Sequence, residues 1–234
     1  MDSTSPQQVF SLAEKAALLR QHPLFCALDA EICVRLAANA KTKLVPRGAM
    51  IFAKGDPGTC LFAVVSGVVQ VASASSEGKS VVLNQIGPGE IVGEIALLDG
   101  EPRTADATAF SDCRLMVIER RDFLPMLRSH PDVAIKLMEL LCARLRRTSE
   151  QVEDLMFLDL RGRLTKTLLR LAKESADGDA ITISQTDLSQ VVGMSREMIN
   201  KQLQAFVRDG LIEIERRRIV LLRPEALASD IASD

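Results

Sequence analysis

From Pro131 to Met156 the chain has no glycine, and no proline after the first of these residues. A stretch that long without a breaker specifies one continuous helix, and Pro131 suits its first turn. Along it, Ala134, Met138, Leu141, Leu145, Thr148, Val152 and Leu155 succeed one another at alternating steps of four and three. Kept up for about three heptads, that spacing is the seam of a two-stranded coil. Arg144, Arg146, Arg147, Glu150, Glu153 and Asp154 occupy the other faces, which suits a paired helix. A single apolar stripe laid on its own domain stays open as the alternative. Thr148 is the one polar member of the seam, where a polar side chain costs stability and often sets register. The pattern breaks at Leu158-Asp159-Leu160-Arg161-Gly162, and Asp159 is a natural N-cap, so a hinge is expected there.

A helix of this kind separates an N-terminal segment from a C-terminal one. Between Leu24 and Glu119 short apolar runs (Ala49–Phe52, Leu61–Val65, Val68–Ala72, Val81–Ile86, Leu115–Ile118) alternate with Gly- and Pro-containing turns. Turns recurring every ~8–12 residues predict an antiparallel sandwich or barrel. Ser11–Arg20 and Asp29–Ala40 read as short helices ahead of it. After the hinge comes a small helical domain: a helix over Arg163–Glu174, one capped by Ser184 and ending at Val192, and one capped by Ser195 and running to Asp209. Leu211–Glu215 and Ile219–Leu222 then flank Arg216-Arg217-Arg218 as a two-stranded wing. The expected class is α+β: an N-terminal antiparallel β domain over 1–130, a helix over 131–158, and a C-terminal domain over 159–234.

Composition narrows the chemistry. Two histidines, His22 and His130, make a His-rich metal site or a His-paired nucleophile hard to build, so no enzyme is expected. The five cysteines include no CxxC pair, which suits reduced thiols and a cytoplasmic location. No secretory leader or membrane span is expected from the polar N-terminus and the distribution of charge. With neither Trp nor Tyr, base stacking on aromatic platforms is a poor route to nucleic acid. Residues 196–223 nevertheless carry seven Lys/Arg against four Asp/Glu, a mild basic patch in a chain of net charge -2.

Two short helices around Gly193-Met194 form a helix-turn-helix candidate. On the second, Ile199, Leu203 and Phe206 face inward, leaving Arg196, Glu197, Asn200, Lys201 and Gln204 on the opposite face. Arg or Lys suits guanine, Glu suits cytosine, and Asn or Gln suits adenine. Arg196 stands in the first turn, where a cation opposes the helix dipole, so stability alone does not explain it. Arg216, Arg217 and Arg218 are candidates for phosphate contact.

The stretch from Gly93 to Ala105, GEIALLDGEPRTA, interrupts the β pattern with one apolar helical turn. The start of such a turn offers free backbone N–H groups to an anion, and Arg103 can return over the same spot to grip a phosphate. Glu94 would repel a phosphate, so its partner is a hydroxyl such as a ribose 2′-OH, or else Arg103 itself in an internal ion pair.

Gly93-Glu94-Ile95-Ala96-Leu97 with Pro102-Arg103-Thr104-Ala105 resembles the phosphate-binding cassette of cyclic-nucleotide-binding domains. Arg147-Thr148-Ser149-Glu150, Phe157-Leu158-Asp159 and Gly162-Arg163 resemble the dimer helix and hinge of the CRP/FNR superfamily. Val192-Gly193-Met194-Ser195-Arg196-Glu197 is similar to its helix-turn-helix. The likeness runs collinearly from Leu24 to Leu222. It implies a double-stranded β-roll, a dimerisation helix and a winged helix-turn-helix, in a homodimeric regulator that binds palindromic double-stranded DNA and works with RNA polymerase. By the same resemblance Glu94 holds the ribose hydroxyl, Arg103 and Thr104 the cyclic phosphate with backbone near Gly93, and Thr148 and Ser149 the purine. Ile95 and Ala96 complete the cassette. Ser195, Arg196, Glu197 and Lys201 meet DNA, although Lys201 stands where arginine is common and lacks its fork. Thr104 leaves cyclic AMP and cyclic GMP both open as the ligand. No metal, haem or iron–sulfur cluster is expected, since Cys26 and Cys33 lack a third cysteine nearby. A regulator of the same fold without nucleotide control, and a nucleotide-binding module acting on protein partners, are the alternatives.

Overall fold

Strands β3 (Cys60–Ser66) and β8 (Cys113–Glu119), central in the first sheet, are apolar on both faces, and this alternation sets the layout of the N-terminal part. Phe62, Val64, Cys113 and Leu115 point into one core, while Leu61, Ala63, Met116 and Ile118 point into another. A strand with such neighbours on both sides needs a layer on each face. The computed structural model, which describes residues 10–74, 80–175, 178–215 and 218–231, supplies both layers.

The first sheet is ordered β1 (Lys41–Val45), β8, β3, β6 (Ile91–Val92). The second is ordered β2 (Met50–Phe52), β7 (Asp106–Ala109), β4 (Val69–Ala74), β5 (Ser80–Ile86). Pairing is antiparallel, with Lys41 opposite Val117 and Val69 opposite Ala109. Val45, Ile51, Phe62, Val69, Ile86, Ala107 and Leu115 fill the space between the sheets. The outer face of the first sheet is covered by helices α1 (Leu12–Gln21), α2 (Ala30–Asn39) and α4 (Arg120–Ser129), and by the start of α5 (Pro131–Phe157) through Val133 and Leu137. Ser11 caps α1 in a reciprocal capping box with Glu14. Between β6 and β7 lies the short α3 (Glu94–Asp99). The first two helices are legible in the sequence but α4 is not, because Pro125 inside it reads as a break.

The chain forms two compact units, one mainly of residues up to Arg144 and the other mainly of residues from Leu145 on. The second contains α6 (Leu160–Glu174), β9 (Ala180–Thr182), α7 (Gln185–Val192), α8 (Arg196–Arg208), β10 (Ile212–Glu215), β11 (Arg218–Leu221) and α9 (Pro224–Ile231). Asp159, Ser184 and Ser195 each cap the next helix by accepting a backbone N–H. Leu164, Leu168, Leu188, Ile199, Leu203, Phe206, Ile219 and Leu227 make its core. The expected two-stranded wing is a three-stranded sheet, since β9 pairs with β11, with Ile181 opposite Ile219. Arg216 and Arg217 lie outside the described residues.

Helix α5 departs from the expected seam in one respect. Leu141 packs against the core of its own unit, as does Leu140, and Ala134 is half-buried. Met138, Leu145, Val152 and Leu155 are more than half exposed, and Ile135, Met156 and Phe157 are exposed with them. The coil pattern and the single-domain stripe thus coexist: the first turns bury one side, and a broader apolar side stays in solvent. No helix of the described residues is long and apolar enough to cross a membrane.

His22, just after α1, is buried, and its Nδ1 accepts the Leu24 N–H at 3.2 Å. Burial holds its pKa below the ordinary 6.5, with the Glu90 backbone pulling the other way. Below pH 6.5 the unfolded chain therefore binds a proton that the folded chain refuses, and stability falls with pH. Thermal melts from about pH 7.5 to about pH 5 should show a loss of stability that is smaller in His22→Gln.

Candidate functional site

Gly93 begins α3 with φ +84°, a left-handed conformation that glycine adopts without strain. A Cβ there would stand 2.4 Å from Arg103 Nη1, so a side chain at this position would displace the guanidinium. Arg103 does return over the start of α3, as the spacing predicts. Its Nη1 donates to the Gly93 carbonyl at 2.6 Å and its Nη2 to the Cys60 carbonyl at 2.6 Å. The guanidinium lies 4.3 Å from the centre of the Phe52 ring, a cation–π contact. Arg103 is only 4% exposed, and its Nε has no hydrogen-bond partner.

Glu94, the next residue after Gly93, is buried too, yet it does not pair with Arg103. Its Oε1 accepts from Arg144 Nη1 at 2.6 Å, and Arg144 Nη2 donates to the Ile91 carbonyl at 2.6 Å. The side chains of Arg144 and Glu94 are 18% and 3% exposed. Arg144, expected among the solvated faces of the coil, instead ties α5 to the start of α3. Heptad spacing assigns it outward, and only its proximity to Glu94 in the fold shows otherwise.

Around this pair the cassette is tightly seated. Ala96 is buried, and a Cβ on Gly58 would come within 2.3 Å of its own Cβ, so the loop before β3 must carry glycine there. Ile95 is 44% exposed and Thr104 is exposed. Cys60 opens β3 beside the Arg103 guanidinium. It is half-buried with Sγ 3.7 Å from Arg103 Nη2, and burial pushes its thiol pKa up while Arg103 pulls it down. Cys113 is buried between the sheets. Thr148 and Ser149 are exposed on α5, and Ser149 Oγ donates back to the Leu145 carbonyl at 3.1 Å.

In the second unit, Gly193 ends α7 at φ 72° and Met194 leads into the Ser195 cap of α8. Ser195 Oγ accepts the Met198 N–H at 3.2 Å. Ile199, Leu203 and Phe206 are fully buried, whereas Arg196, Glu197, Asn200, Lys201 and Gln204 lie on the outward side of α8, all of them exposed. The five residue types able to bond base edges therefore share the surface of one helix whose other side is anchored in a core. Arg161 of α6 holds α8 from behind, lying over Phe206 at 4.6 Å and pairing with Asp209 at 3.1 Å. Gln185 Nε2 donates to Asn200 Oδ1 at 3.4 Å, so Asn200 is already engaged by the preceding helix. Arg218 is exposed in β11, 3.6 Å from Glu215.

Comparison with known proteins gives the same division. Residues 42–130 match the family model described as a cyclic nucleotide-binding domain, and residues 162–229 the one described as a Crp-like helix-turn-helix domain. The chain is 31% identical over 217 residues to a CRP-like cAMP-activated global transcriptional regulator of Mycobacterium tuberculosis, covering 90% of this chain and 97% of that one. It is 33% identical over 214 residues to a cyclic AMP receptor protein of Thermus thermophilus, covering 92% and 98%. Among solved structures, the c-di-GMP responsive global regulator CLP of Xanthomonas campestris superposes with a TM-score of 0.73 at 27% identity, covering 82% of this chain and 99% of that one.

The Arg144–Glu94 pair makes a first test of this geometry. Removing the cation leaves a buried carboxylate without its partner, which costs about 3–5 kcal/mol. Arg144→Met should lower stability by about that amount in urea titrations monitored by circular dichroism, whereas exposed Arg146→Met should change it by less than about 0.5 kcal/mol.

Proposed function

The chain belongs to the CRP/FNR family of cyclic nucleotide-responsive, DNA-binding transcription regulators, and from that premise we propose that it works as a homodimer switched by cyclic AMP. The observation that carries this reading is Arg103. A cation buried to 4% exposure, held by two carbonyls and a ring face and with its Nε–H left without a partner, suits an anionic ligand. A cyclic phosphodiester is such an anion, and the planar fork of arginine matches its two free oxygens.

Around that anchor the division of labour is set by charge. Arg103, with Thr104 and the uncapped backbone at Gly93, would hold the phosphate. Glu94 would accept the ribose 2′-hydroxyl beside Arg144. Thr148, one helical turn after Arg144, and Ser149 would meet the purine, one from each subunit. Ile95 and Ala96 shape the cassette. Cyclic GMP is the alternative occupant of the same groups, since Thr104 can serve either purine.

The exposed apolar side of α5, through Met138, Leu145, Val152 and Leu155, supports pairing with the same helix of a second copy. Because Arg144 joins Glu94 to α5, a change at Glu94 reaches the dimer helix through one ion pair. The sensor is read as 1–130, the dimer helix as 131–158 and the DNA-binding domain as 159–234. Ligand moves the dimer between two arrangements only by its differential affinity for them. In the favoured one, two α8 helices would enter successive major grooves ~34 Å apart on a palindrome, using Arg196, Glu197, Asn200, Lys201 and Gln204 on bases and Ser195, Arg216, Arg217 and Arg218 on phosphates. Action in the cytoplasm with RNA polymerase is part of this reading by family resemblance.

Calorimetric titration with cyclic AMP, cyclic GMP and cyclic di-GMP tests the pocket. We expect cyclic AMP to bind the wild-type dimer and Arg103→Ala to lose at least about 100-fold in affinity, as for a charged hydrogen-bonded contact of about 3 kcal/mol, while remaining dimeric. Unchanged affinity in that variant would refute the assignment. In mobility shifts, Arg196→Ala should lose discrimination between operator and scrambled duplex but keep non-specific binding. Equally tight operator binding with and without nucleotide would instead favour a nucleotide-independent regulator.

A further inference from the structure

Met198 lies in the first turn of α8 and is 38% exposed. At roughly 100° per residue, the line through Glu197, Lys201 and Gln204 marks the side of α8 turned farthest from the core, with Asn200 on one flank and Met198 on the other. Met194, four residues earlier, packs against the domain core, but Met198 is not among the side chains that do. Its backbone N–H is already taken by Ser195 Oγ. What Met198 brings to this surface is therefore its thioether side chain alone.

An isolated exposed methionine is ordinary on most surfaces. This one stands in the first turn of the helix that carries the base-reading side chains, and every other residue of that face in the first two turns is charged or an amide. Those groups register hydrogen-bond donors and acceptors. The C5-methyl of thymine is the major-groove feature they cannot register, and an apolar contact can. That methyl sits toward the wall of the groove beside its own strand, where the flank of an inserted helix comes close. An unbranched, polarizable side chain adapts well to such a contact.

We propose that Met198 is a specificity-determining residue that reads the methyl group of one thymine in each DNA half-site. The inference rests on the reading of α8 as the DNA-contacting helix, and the test separates the two. An operator is first selected from a random duplex library with the nucleotide-loaded protein. Each thymine is then replaced singly by deoxyuridine, which removes the methyl and nothing else, and affinities are measured by mobility shift. We expect one thymine per half-site at which deoxyuridine weakens the wild type about fourfold, the worth of one buried methyl-sized group. In Met198→Ala the thymine and deoxyuridine duplexes should bind alike, and Met198→Leu, still apolar, should restore the difference. Selection of no operator at all would overturn the DNA reading and this proposal with it. Selection of an operator with no deoxyuridine effect, or an effect that persists in Met198→Ala, would overturn the role of Met198 and leave the DNA reading standing.

Discussion

Two buried charges of opposite sign lie at the start of α3 and do not neutralise each other. Glu94 is satisfied by Arg144 of α5, while Arg103 rests on carbonyl oxygens and the face of Phe52. Burial of a charge is costly unless it is paired and hydrogen-bonded, so this arrangement is tolerated only where the fold holds every partner in place. It leaves the positive group without a carboxylate partner among the described residues, and it makes the negative group the point where a long helix is fastened to the β-roll. The seat of Arg103 and the fastening of α5 thus share two adjacent residues, Gly93 and Glu94.

The rest of the N-terminal unit can be understood as support for that spot. The two-faced strands β3 and β8 hold a second sheet on one side and helices on the other, and β3 delivers the Cys60 carbonyl to Arg103. Gly58 lets the loop before β3 close on Ala96. Val133 and Leu137 anchor the first turns of α5 in the same core that includes Leu97 of α3, so Arg144 is brought to Glu94 by apolar packing as well as by charge. Met138, Leu145, Val152 and Leu155 of α5 remain more than half exposed.

In the C-terminal unit the logic is simpler. Three wholly buried residues of α8 fix which way its polar side faces, and Arg161 secures its rear. The side chains on that polar side, Arg196, Glu197, Lys201 and Gln204, have little structural work to do. Asn200 is the exception, because Gln185 already holds its carbonyl oxygen. That restraint on Asn200, and the apolar Met198, set these two apart from the charged and amide side chains around them on α8.

Local features were legible in the chain itself. The breaker-free run after Pro131, the caps at Ser11, Asp159, Ser184 and Ser195, and the turn at Gly193 depend on residues within a few positions of one another, so their effects survive without a fold. The spacing of Gly93, Glu94 and Arg103 belongs to the same kind, since one short stretch of chain, α3 with its flanks, contains all three. What tertiary structure alone decided was which charge meets which. Arg144 lies fifty residues from Glu94 and has the spacing of a solvated position, Leu141 has that of a coil seam yet packs at home, and β9 joins the wing from beyond α7. These are contacts between distant segments, set by how layers stack and by where a buried carboxylate must find a cation, and periodicity along a single helix or strand carries no information about either.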